Sequence, residues 1–158
     1  MALFDSVFFN AEFGFICSMH KERKLLIIGY VWPEPNSSAA GSRMLQLILL
    51  FKSLNWEIAF ASCAADSDFA LNLSELGISK HAIQLNHPSF DAFVKDLDPD
   101  LVLFDRFLME EQFGWRVAES CPEALRLLDT EDLHCLRLAR QKAFKDKRIF
   151  EIDDLLVE

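Results

Sequence analysis

Glycine is scarce in this chain, with five in 158 residues. Between Lys24 and Gly41 only Gly29 intervenes, so the GxGxxG turn of a dinucleotide site is absent, as is the GxxxxGK(S/T) phosphate loop. Cysteine is sparse too. Cys17, Cys63, Cys121 and Cys135 form no CxxC pair, which argues against a zinc site or a redox dithiol and leaves reduced thiols in a cytoplasmic protein as the simplest reading. Positive charge is short: 16 Lys and Arg stand against 25 Asp and Glu, a net of -9. Nucleic-acid binding needs a basic face, so that partner class is set aside. No apolar run approaches the roughly 18–20 residues that span a bilayer.

What is present is an ordinary globular balance, 51% apolar and 26% charged, enough for one domain that buries about two thirds of its unfolded surface. Two full-sized lobes with a cleft between them do not fit this length. Residues 1–20 hold five of the fifteen phenylalanines. They lack a basic leader, and Asp5 and Glu12 interrupt the apolar stretch, so they do not read as a signal peptide. We take them as an extension outside the fold, lying upstream of a start at Met19; an arm docked on the domain or on a partner is the alternative. The domain itself is 21–158.

From Lys24 onward, apolar runs alternate with helical patterns. The expected strands are Leu25–Val31, Glu57–Ser62, Ala82–Leu85, Leu101–Phe104 and Ala124–Leu128. Helices are expected at Ala39–Leu54, Asp66–Leu76 with Gly77 as its C-cap, Ser89–Leu97, Met109–Cys121 and Asp132–Lys145, with another short one at Ile149–Val157. This is the pattern of an α/β protein. It predicts a doubly wound parallel sheet of about five strands in the order 3-2-1-4-5, with helices on both faces.

Ligands of such sheets bind beyond the carboxyl ends of the strands, where strand order reverses. The loops on that rim are chemically rich. After strand one come two prolines, then Asn36, Ser37 and Ser38, then a helix start with Gly41 and Arg43. Free N–H groups at a helix start attract anions, Gly41 would let a ligand approach, and Arg43 offers a fork of donors; an ordinary Ser cap on a surface loop is the plainer alternative. Asp105 and Arg106 end a buried strand and need partners there, each other being the simplest. The segment from Asp129 to His134 packs three carboxylates and an imidazole into six residues. Helix capping accounts for its acids, and a general base oriented by a neighbouring Asp would account for His134. The spacing matches no zinc pattern, so no metal site is assigned.

The stretches LLIIGYVWPEPNSSAAGSRMLQLILLF, DLVLFDRFLMEEQFGWRVAE and LRLLDTEDLHCLRLARQ resemble the amino-terminal half of bacterial glycosyltransferases of the GT-B type, over residues 24–158. The resemblance implies a Rossmann-like acceptor-side domain that faces a separate carboxy-terminal domain holding a nucleotide-sugar donor. The reaction would move a sugar to a hydroxyl of a sugar or lipid-linked acceptor, with no cofactor and no essential metal. By that resemblance Gly41 would lie near the donor diphosphate. Asn36, Ser37, Ser38, Arg43 and Arg106 would shape the acceptor side, and Asp105, Asp129 and His134 would be the catalytic candidates. The carboxylates and bases that hold the donor are not in the sequence, so this chain by itself is expected to transfer little or no sugar.

Residues 131–148 carry six cations against Glu131, Asp132 and Asp146. This reads either as a solvated helix face or as a basic patch for anionic lipid, which would put a cytoplasmic protein at the inner face of the membrane. The competing functions are a non-catalytic α/β binding module built on the same rim, and a different nucleotide-dependent enzyme such as a methyltransferase.

Overall fold

The computed structural model describes residues 23–131 and 133–155. Its centre is a five-stranded, all-parallel sheet in the order β3-β2-β1-β4-β5. The strands are β1 (Lys24–Gly29), β2 (Glu57–Ser62), β3 (Ser79–Ala82), β4 (Leu101–Asp105) and β5 (Leu125–Asp129). The helices are α1 (Ala39–Ser53), α2 (Ser89–Leu97), α3 (Phe107–Ser120) and α4 (His134–Lys145), with 3-10 turns at Leu73–Leu76 and Ile152–Leu155. This is the Rossmann-like α/β arrangement. The expected extension 1–20 lies outside the described residues.

The continuous apolar runs are explained by burial on both faces. Leu26, Ile28, Ala59, Ala61, Val102 and Phe104 point to one layer, where Phe90 and Val94 of α2 and Met109, Phe113 and Val117 of α3 cover them. The alternate residues Leu25, Ile27, Ile58, Phe60, Leu101 and Leu103 point to the other, against Met44 and Ile48 of α1 and against Leu73 and Ile78. A buried Arg116 on α3 is held by Asp91 of α2 through two 2.7 Å bonds and by the His87 carbonyl at 2.8 Å. That tie fixes the second helical layer.

Three boundaries differ from expectation. The helix expected over Asp66–Leu76 is absent apart from its last turn. Side chains there satisfy the backbone and one another locally: Ser67 N–H donates to Asp66, Phe69 N–H to Ser67, and Ser74 Oγ to Asn72. Such bonds compete with helical ones. Leu71 N–H meanwhile donates to Pro33 O across the loop at 2.8 Å. Gly77 does close this segment, in the left-handed conformation that a residue without Cβ takes easily (φ 68°). Strand β3 falls three residues earlier than Ala82–Leu85. As an edge strand it exposes polar Ser79 and Lys80, while Ile78 and Ile83 at its ends fill the core. Strand β1 stops at Gly29, because Trp32 turns inward to donate its indole N–H to Ala64 O at 2.9 Å and to pack on Phe60, leaving Tyr30 and Val31 exposed.

Candidate functional site

The loops after β1, β4 and β5 meet at the carboxyl edge, beside the crevice between β1 and β4 where strand order reverses. Asp105 ends β4 and Asp129 ends β5, paired in register. Asp105 is only 8% exposed. One of its oxygens accepts the Tyr30 N–H at 3.3 Å and the other lies 3.8 Å from Arg106 Nε. Burial dominates and holds its carboxyl above the ordinary carboxylate range, against the opposing pull of Arg106 and of the Tyr30 hydrogen bond.

Arg106 links the cluster. Its main chain is forced to φ 73°, ψ 153°, a region a residue with a Cβ adopts only under constraint. Here the constraint is visible: Arg106 N–H donates to Asp129 O at 2.8 Å, and Arg106 O accepts from Met109 at the start of α3. The guanidinium lies over the Tyr30 ring at 5.1 Å. Its buried Nε sits 2.8 Å from Glu131 Oε2 without the alignment of a hydrogen bond, so the contact is Coulombic. The expected Asp105–Arg106 pair is therefore the looser of its two ion contacts.

Arg43 reaches across from the second turn of α1 to grip Asp129 with two parallel bonds of 3.0 Å each. Asp129 also accepts the Glu131 N–H at 3.3 Å. The same bidentate bond raises the Arg43 pKa further. Asp129 is thus a tie between α1 and β5, and a ligand anion would have to compete with it for Arg43.

The loop after β1 closes on itself. Ser38 is the N-cap of α1, its Oγ accepting the Gly41 N–H at 3.0 Å, and Ser42 Oγ donates to Pro35 O at 2.7 Å. A Cβ on Gly41 would stand 2.3 Å from Glu34 O. The space that a Cβ would take at Gly41 is filled by the backbone of Glu34, so the loop itself requires a glycine there. Asn36 and Ser37 stand exposed in the Pro35–Ser37 turn. His134 opens α4, and its side chain lies outside what the structure describes, as does Asp132.

Sequence reasoning missed Tyr30 and Glu131. Tyr30 was hidden inside an expected strand. Glu131 reads in the sequence only as one of the acids that cap a helix, whereas it precedes α4 in a left-handed conformation (φ 55°) that turns it toward Arg106. A depression of about 500 Å³ adjoins the cluster, lined by Thr130, Glu131, Leu133, Leu136, Arg137 and Arg140. Another, of about 400 Å³, lies among Asp66–Ser74 and Lys80 and touches none of the cluster residues; the chemistry argues for the first. Among the described residues, no group of His, Cys, Asp and Glu is arranged to hold a metal ion, and no helix is long and apolar enough to cross a membrane. Compared with protein-family models, curated proteins and solved structures, the chain matches none of them.

Proposed function

We propose that this domain is the acceptor-side half of a glycosyltransferase. The observation that carries the reading is the convergence of Tyr30, Asp105, Arg106, Asp129 and Glu131 at the reversal point of a parallel sheet. The acceptor-side assignment follows the resemblance to GT-B enzymes read in the sequence. A buried carboxyl held above its ordinary range suits a general base, since it accepts a proton more readily than an exposed one. Asp105 would take the proton of an acceptor hydroxyl as that oxygen bonds to the anomeric carbon and the nucleoside diphosphate leaves. A second, carboxy-terminal domain would hold the donor. Tyr30 and Glu131 would orient the acceptor's hydroxyls, and Arg106 would balance the charge.

The test is a titration of isotope-labelled chain with acceptor saccharides, nucleotide sugars and S-adenosylmethionine, read by amide chemical shifts. Saccharides should move Tyr30, Arg106 and Glu131, and the response should vanish in Asp105→Asn with the fold intact. Shifts confined to the 66–74 loop, or a response to S-adenosylmethionine alone, would overturn the assignment. The second reading, a non-catalytic binding module, is favoured by the mutual neutralisation of Arg43 and Asp129. Saccharide binding unchanged by Asp105→Asn would select it.

A further inference from the structure

We propose that the outward face of α4, together with the Lys147–Ile149 segment after it, is a contact surface for an anionic lipid bilayer. This goes beyond the transferase reading and stands if that reading fails. Within His134–Lys145 there is no Asp or Glu, yet there are four cations, in a chain of net charge -9. The helix turns Ala139 and Ala143 inward. Phe144, 83% exposed, and Leu138, 60% exposed, flank the outward face on its two sides. Helical geometry places Arg140 one turn before Phe144, and Lys142 and Lys145 one and two turns after Leu138. Each exposed apolar side chain therefore has a cation one turn away along its own flank of the helix. Ile149, 86% exposed, extends the face beyond Lys147. Arg148 is engaged by Asp154 at 2.7 Å and contributes less.

A solvated helix face accounts for the cations but gives these large apolar groups nothing to bury against. Nucleic acid or an acidic protein would satisfy the cations and leave Phe144, Leu138 and Ile149 in water. A bilayer interface satisfies both, because long cationic side chains reach the phosphates while apolar ones enter the acyl boundary. Residues 131–148 carry a net of +3, leaving -12 on the remainder. An anionic surface would therefore attract this face and repel the others.

The experiment is co-sedimentation of the full 158-residue chain with phosphatidylcholine vesicles, with and without about 30% phosphatidylglycerol. Binding is expected only with the anionic lipid and should fall steeply with added salt. The double variant Arg140→Gln/Lys145→Gln should weaken it roughly tenfold or more. Phe144→Ser/Ile149→Ser should weaken it at constant charge. Circular dichroism unchanged from the parent shows that both variants fold. Absence of binding, equal binding to neutral vesicles, tighter binding to duplex nucleic acid, or full binding by both variants would overturn the proposal.

Discussion

Leu25, Leu101 and Leu125 occupy one row of the sheet, paired across β1, β4 and β5. The first two are buried, whereas Leu125 is 61% exposed, and Leu127 and Leu128 beside it are also exposed. The residue types are alike; what differs is the cover. Strands β1 and β4 lie under α1 on one face and α2 and α3 on the other. Helix α4 instead packs chiefly against the 152–155 turn. An apolar pattern can thus specify a strand without specifying its burial, and the roughly 1.5–3 kcal/mol that a covered leucine contributes is largely unrealised at the β5 edge.

The sharpest way to break this contrast is truncation on each side of it. Phe90→Ala should destabilise the fold by about 3–5 kcal/mol, because Phe90 is buried against Phe113 with ring centroids 4.6 Å apart. Leu125→Ala should change stability by no more than about 0.5 kcal/mol. Urea melts of both variants check this, and a large loss at Leu125 would mean that β5 is covered in solution. Next in size is Gly41→Ala, which drives a Cβ into the Glu34 backbone and should cost about 1–3 kcal/mol. Ser38→Ala removes the cap and a long 3.5 Å bond to Glu34 O and should cost about 1 kcal/mol. Thermal melts that rank these two in the opposite order would show that the loop gives way easily.

The smallest effects concern two carboxylates with opposite pH signatures. The Asp91 carboxyl is held below its ordinary range by its bonds to Arg116, so its contribution is complete above that range and is lost as pH falls through the depressed value. Asp105 is raised by burial, so the folded state keeps its proton longer. Stability should then decline as pH rises from the ordinary carboxylate range to the raised value. Stability measured against pH should show Asp91→Asn flattening the acid limb and Asp105→Asn removing the decline above it. A parallel response of the two variants would contradict the assigned surroundings.

Much of the fold was legible because strands buried on both faces are written as unbroken apolar runs, as in Leu25–Ile28 and Leu101–Phe104. The Asp66–Leu76 segment was misread because Asp, Ser and Asn side chains can serve the backbone in place of a helix, a competition that composition does not reveal. The rim itself was legible from Asp105, Arg106 and Asp129. The partners of Arg106 were not, since they depend on two departures from regular structure, at Tyr30 and at Glu131. The role of Gly41 was equally hidden, because it answers to the backbone of Glu34, seven residues earlier.

By itself, the sequence determined the order of the five strands and of α1 to α4, the two-sided burial of β1, β2 and β4 and the edge at which chemistry collects, because periodicity and connection handedness are local or topological properties. Only the tertiary structure decided which charges meet. Arg43 finds Asp129 across 86 positions of chain, and Arg106 settles nearer Glu131 than Asp105, because side-chain pairing depends on where loops end in space, to within an ångström or two.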